Sequence, residues 1–344
     1  MIRKIHEFTR DGKRVEVFRL SNASGMELDI STYGGRMIRL TAPDKAGNFS
    51  DVIMGYARPE DDLAGERAFY GAIIGRFGNR IGNATFELNG TRYEVTRNEG
   101  RNALHGGVHG FDGRLFRAEI EGDGLSLRYF SPDGEEGFPG NLDVCVRYSL
   151  TDENEVVIDY LATTDADTVC NLTNHAFFNI GNGDTILDQI LEIRASRITP
   201  VDGELIPHGD FLEIDGTPYS FRGGVRLGKN MFSSAPMIAA CHGFDFNYCI
   251  DRKTEDGLEY CACVFDPESG RKMECFTTLP GVQLYTCNNS AGIVGKKVYK
   301  NYAALCLETQ GFPNAPNCPS YPSTVLKKGE EYRTRTVYKF SVSE

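Results

Sequence analysis

The chain has 344 residues, 40% hydrophobic and 25% charged, which is enough to bury a core without disulfide or metal staples and too balanced for a disordered chain. Its formal charge of −11 repels nucleic-acid phosphates and anionic lipid, so neither is an expected partner. The start, Met1-Ile2-Arg3-Lys4-Ile5-His6-Glu7, has no apolar stretch behind its basic pair, and no apolar run is long enough to span a bilayer. A cytoplasmic protein with its ten scattered cysteines reduced is therefore expected.

The dominant hydrophobic period is two. Residues 85–95 flank Asn89-Gly90, a pair that supplies the two φ > 0 positions of a type I′ turn, which predicts a hairpin. Leu142, Val144, Val146, Tyr148 and Leu150 alternate with polar residues. Val156, Ile158 and Tyr160 continue after the turn-like Thr151-Asp152-Glu153-Asn154, and Leu191 to Ile198 and Tyr332 to Val342 alternate as well. Helical periodicity is hard to find, while 38 glycines and 14 prolines punctuate the chain. This pattern predicts an all-β fold, a large antiparallel β-sandwich, with residues 1–344 as a single domain.

Three apparent motifs fail on inspection. Gly223 to Lys229 has the Gly-x-x-x-x-Gly-Lys spacing of a phosphate-binding loop. Asn230 stands where a Ser or Thr would ligate Mg²⁺, and Pro236 falls where a helix should run, so a surface loop is expected. Cys261-x-Cys263 has strand spacing, both thiols on one face, and no second ligand pair. His105 and His109 are four apart, but Gly106-Gly107 between them argues against a helix aiming both at one metal. No metal site is expected.

Other polar residues sit in apolar surroundings. His175 lies among amides and aromatics in Asn171-Leu172-Thr173-Asn174-His175-Ala176-Phe177-Phe178-Asn179. Glu308 ends the apolar run Ala303-Ala304-Leu305-Cys306-Leu307-Glu308, where as a strand residue it shares a face with Cys306. A carboxylate there is costly to bury unless something binds it. Asp245 stands between Phe244 and Phe246, and Arg80 in the glycine-rich run Gly75 to Gly82. Taken singly, His175 also reads as a satisfied core histidine, Glu308 as a solvated strand end, and Arg80 with Asp245 as an ordinary ion pair.

In order along the chain stand Gly34-Gly35, Gly75 to Ile81, Leu104-His105-Gly106-Gly107, Glu136 to Leu142, Asn171 to Asn179 and Thr199-Pro200-Val201-Asp202-Gly203. Gly243-Phe244-Asp245, Gly281 to Thr286, Leu307-Glu308-Thr309-Gln310 and Tyr321-Pro322-Ser323 follow. This ordered set resembles the galactose mutarotase (aldose 1-epimerase) family. The resemblance implies a β-supersandwich with a carbohydrate cleft on one sheet face. It implies Glu308 as base, His175 as acid, His105 as a second histidine near the ring oxygen, and Asn79, Arg80, Asp245 and Gln283 as holders of sugar hydroxyls. It also implies a free aldohexose such as galactose or glucose as substrate and a monomer or homodimer. Gly78 departs from the family's usual alanine, Phe116 stands near the place of a tryptophan, and Cys287 with Asn288-Asn289 replaces a usual glycine.

Interconverting the α and β anomers of a sugar is a proton-transfer problem that needs no cofactor or metal. The anomeric hydroxyl loses a proton, the ring oxygen gains one, and the C1–O5 bond opens. The C1–C2 bond then rotates and the ring recloses. Free glutamate titrates near ~4.3 and histidine near ~6.5, so a carboxylate base and an imidazolium acid are the expected resting forms. Phe77 and Phe177 or Phe178 are candidates to pack on the sugar's C–H face. If Gln283 to Cys287 is a regular strand, Cys287 lies near the sugar. Two rival readings are a non-catalytic carbohydrate-binding sandwich, which would lack Glu308 or His175, and an epimerase of a hexose 6-phosphate, which would need a basic cluster beside the cleft.

Overall fold

Period-two alternation builds the molecule. The computed structural model describes residues 1–63, 69–254 and 257–343. Within it Leu142–Leu150 buries Leu142, Val144, Val146 and Tyr148 and exposes Asp143. Its neighbour Glu155–Thr164 buries Val156, Ile158 and Tyr160 against the same core. These strands belong to a nine-stranded antiparallel sheet. Its order is Arg117–Glu121, Gly124–Ser131, Leu142–Leu150, Glu155–Thr164, Glu331–Val342, Arg271–Thr277, Glu259–Phe265, Ile190–Ile193 and Val225–Arg226. The last long strand, Glu331–Val342, thus fills the centre of the sheet. A second sheet holds Ile2–Arg10, Lys13–Ser21, Glu27–Ser31, Met37–Pro43 and Phe49–Asp51 in sequential order. Asn89 (φ 52°) and Gly90 (φ 74°) form the expected turn between Thr85–Leu88 and Thr91–Glu94.

A third, five-stranded sheet positions the site. Its order is Leu212–Glu213, Ala195–Ile198, Asp245–Ile250, Gly281–Tyr285 and Cys306–Gln310. Phe246, Tyr248, Val282, Leu284 and Leu307 turn one face into a core shared with the other two sheets. The alternate residues, Asp245, Asn247, Gln283, Cys306, Glu308 and Gln310, therefore project from the opposite face. The all-β antiparallel sandwich expected from the alternation is the observed architecture.

Leu191 to Ile198 alternates as expected but is not one strand. The chain passes from the nine-stranded sheet to the five-stranded sheet at Arg194, whose N–H donates to Cys261 O while its carbonyl accepts from Asp251 N. Alternation persists across the crossover because both faces it leaves and enters meet one core. The segment 223–229 is also not a plain surface loop: Val225–Arg226 is a short strand and Leu227–Met231 a helical turn with Leu227 and Met231 buried. Pro236 opens a second short helix, Pro236–Cys241, where its missing N–H costs nothing. No helix of the described residues is long and apolar enough to cross a membrane.

Candidate active site

Strand register assembles the first half of the site. Gln283 pairs with Asn247 on one side and with Glu308 on the other, which places three polar side chains in a row across adjacent strands. Gln283 Nε2 donates to Asp245 Oδ1 at 2.6 Å. Glu308 is only 2% exposed, and its Oε2 has no hydrogen-bond partner among the described residues.

The second half comes from loops pinned against this sheet. Thr173–Asn174 pairs with Ile73–Ile74, His175 N donates to Ala72 O, and Gly71 N donates to His175 O. Phe178 and Leu305 exchange both backbone hydrogen bonds, tying the His175 segment to the run that leads into Glu308. His175 Nε2 lies 3.4 Å from Glu308 Oε1. The imidazole stacks on Phe177, centroids 4.8 Å apart, with Phe69 at 5.8 Å and nearly parallel. Arg80–Ile81 pairs with Ala103–Leu104, so Asn79, Arg80 and His105 arrive together. Asn79 N donates to His105 Nδ1 at 3.0 Å. The neutral His105 ring therefore carries its proton on Nε2.

These groups surround a cleft of about 710 Å³, to which Asn79, Arg80, His105, His175, Asp245 and Glu308 all contribute. Arg80 is oriented by Glu99, with Nε donating to Oε2 at 2.7 Å and Nη2 to Oε1 at 2.9 Å, and its Nη1 lies 3.7 Å from Asp245 Oδ2. Burial shapes the titration. It pushes the Glu308 carboxyl well above its ordinary range, Asp245 adding to the effect and Arg80 opposing it. Burial likewise raises Asp245, against the pull of Arg80 and Gln283. His175 is held down to about 4, again by burial first. Burial thus disfavours the charged form of both groups, against the ion pair expected from free side chains, because neither charge is well solvated there.

His105, His175 and Glu308 bring potential ligand atoms within 4.8 Å of one another. They do not suit a metal. The Nδ1 lone pair of His105 is taken by Asn79 N–H and its Nε2 carries the proton, which leaves only two donors.

All seven residues proposed from sequence fall in this region, with Gln283 standing behind Asp245. Cys287 and Asn289 line the cleft as well, although Cys287 (φ 50°) lies past the end of Gly281–Tyr285 and gets there by a turn. Among the candidate aromatics Phe177 lines the cleft, whereas Phe77 and Phe178 are enclosed in apolar clusters. Phe116 is core, packed near Phe111 and Tyr129. Gly78 has a local reason: a Cβ would sit 3.0 Å from Thr173 Cγ2 and 3.2 Å from Asn171 O. Gly106 (φ 83°) lets the backbone of Gly75 approach, since a Cβ would meet Gly75 O at 1.9 Å. Arg76 proves structural, its guanidinium donating to Ser131 Oγ and to the carbonyls of Ser131, Pro132, Pro139 and Gly140. The sequence reading missed Glu99 and Phe69. Glu99 sits in a turn with no pattern to mark it.

The family model described as aldose 1-epimerase matches residues 16–339. The galactose mutarotase of Sus scrofa is 40% identical over 334 residues, 96% of this chain and 95% of that protein. The aldose 1-epimerase of Escherichia coli is 32% identical over 346 residues, 99% of each. A solved aldose epimerase homologue from C. elegans superimposes with a TM-score of 0.87 at 28% identity, covering 95% of this chain and 98% of that one. The galactose 1-epimerase of Lactobacillus acidophilus shares the fold, with a TM-score of 0.89 at 24% identity over 100% of this chain and 99% of that one. With a family match spanning nearly its whole length and the same antiparallel fold, this chain belongs to the aldose 1-epimerase family.

Proposed function

We propose that the protein is a mutarotase that interconverts the α and β anomers of a free aldohexose such as galactose or glucose, with Glu308 and His175 as the proton-transfer pair. The observation that carries this reading is the buried Glu308 carboxyl, 3.4 Å from His175 Nε2, with an unpartnered Oε2 on an open cleft. Sugar hydroxyls donating to Glu308 favour its carboxylate form, opposite an imidazolium at His175. Glu308 then takes the O1 proton while His175 protonates O5, and the C1–O5 bond opens. After rotation about C1–C2 the O5 proton returns to His175 and Glu308 reprotonates O1, which restores the pair. Asn79, Arg80, His105 and Asp245 hold the hydroxyls, and Gln283 steadies Asp245.

Among the described lining residues Arg80 is the one guanidinium or ammonium group, and Glu99 and Asp245 already engage it. That favours a neutral sugar over a hexose 6-phosphate. The core continuous through three sheets supports a single domain over 1–344, and ten free cysteines support a reducing, cytoplasmic setting.

Polarimetry of freshly dissolved α-D-galactose, α-D-glucose and α-D-glucose 6-phosphate, with and without protein, tests the reading. Accelerated decay for a free aldose is expected. Binding without acceleration would return the protein to the carbohydrate-binding class, and acceleration of the phosphate alone would move it to the other epimerase class.

A further inference from the structure

One strand brackets both nitrogens of one imidazole. Side chains alternate along Cys306–Gln310, so Cys306 and Glu308 share the face that meets His175. Cys306 Sγ lies 3.4 Å from His175 Nδ1, and Glu308 Oε1 lies 3.4 Å from Nε2. The ring cannot easily swing away. Its backbone is bonded to Gly71 and Ala72, and its faces lie near Phe177 and Phe69. Besides Glu308 and Cys306, the titratable groups around it are His105 and Tyr285, with the charges of Asp112 and Arg36 acting from farther off.

A histidine that gives and takes a proton at Nε2 keeps its other proton on Nδ1 in both states, and that N–H needs an acceptor. His105 has the opposite arrangement. A backbone N–H donates to its Nδ1, which fixes the ring as an Nε2–H donor. At His175 the ring meets its own backbone carbonyl and, from the facing strand, a sulfur that can accept. We infer that Cys306 is a positioning residue: its sulfur accepts the Nδ1–H of His175 and so keeps the Nε2 lone pair aimed at Glu308 and the sugar. The inference rests on the reading of His175 as proton carrier. Burial, with Glu308 and Cys287 adding to it, holds the thiol in its neutral form, so it does not compete for the proton.

Nitrogen NMR of His175 together with kinetics of Cys306→Ala and Cys306→Ser tests this. In the wild type the neutral ring is expected to carry its proton on Nδ1. Cys306→Ala should move the population toward the Nε2–H tautomer and lower kcat roughly tenfold, with KM changed by less than about twofold. Cys306→Ser, whose hydroxyl also accepts, should restore the tautomer and most of the turnover. A wild-type ring protonated on Nε2 overturns the inference, as does an alanine variant with full turnover. Equal losses in both variants with an unchanged tautomer also overturn it and make Cys306 a packing residue. Full turnover in His175→Asn would instead remove the assignment of His175 as proton carrier, which the tautomer measurement does not depend on.

Discussion

The Glu99 carboxylate grips the Arg80 guanidinium with two hydrogen bonds, at 2.7 and 2.9 Å, while the remaining nitrogen lies 3.7 Å from Asp245. Two of the three guanidinium nitrogens are thus committed to a residue outside the strand framework. That leaves Nη1 as the end nearest Asp245 and the cleft.

Releasing that grip should weaken sugar binding more than chemistry. Glu99→Gln loses one acceptor and the charge, and an Arg–carboxylate hydrogen bond contributes about 1.5–3 kcal/mol. The expected outcome is a KM raised about tenfold with kcat changed by only a few-fold. Unchanged KM in steady-state kinetics would remove Glu99 from the binding apparatus.

Glu308→Gln preserves size but removes the proton acceptor, and His175→Asn removes the proton donor. Each should lower kcat by roughly 10²-fold or more, with kcat/KM falling in parallel, because the lost interaction belongs to the transition state. Near-wild-type turnover in Glu308→Gln would overturn the assignment. A raised KM at constant kcat would make Glu308 a binding residue.

The same carboxyl costs stability. The native pKa of Glu308 lies above its ordinary 4.5, so as pH rises past that value the unfolded chain loses a proton that the native state retains. Stability therefore declines with rising pH on account of this group. Glu308→Gln should be more stable than the wild type at about pH 8, with the difference shrinking toward pH ~4.5. His175 has the opposite sign. Its native value of about 4 lies below the ordinary 6.5, so it destabilises as pH falls through that window. Denaturant melts of wild type and Glu308→Gln across this range check both. A pH-independent difference would mean that Glu308 is ionised in the native state.

Cys287 lines the cleft, but burial pushes its thiol up to about 11. Its alkylation at about pH 8 should therefore be roughly a thousandfold slower than that of its full thiolate, and saturating galactose should slow it further. Cys241 lines the same cleft, so the measurement belongs in a Cys241→Ser background with mass-spectrometric localisation. Labelling at Cys287 that ignores sugar would place the thiol away from the bound substrate.

Local rules reach far into this chain. Alternation at Leu142 to Leu150 and the Asn89-Gly90 turn depend on side-chain direction and backbone φ, both properties of short segments, and both are observed as expected. The pairing of Cys306 with Glu308 on one strand face follows from the same rule. The crossover at Arg194 was not legible, because a strand that changes sheets while facing one core keeps its alternation. Nor was the partnership of Glu99 with Arg80, which joins a turn to a short strand across 19 positions of chain. Least legible was the direction in which Glu308 and His175 depart from their solution titration. Composition assigns each its solution value, but only burial of both disfavours their charged forms. The sequence by itself thus determined the strands, their faces and the residue types able to move protons. The tertiary structure decided which of those groups meet and which way burial shifts their titration, because contact and desolvation are properties of the packed molecule.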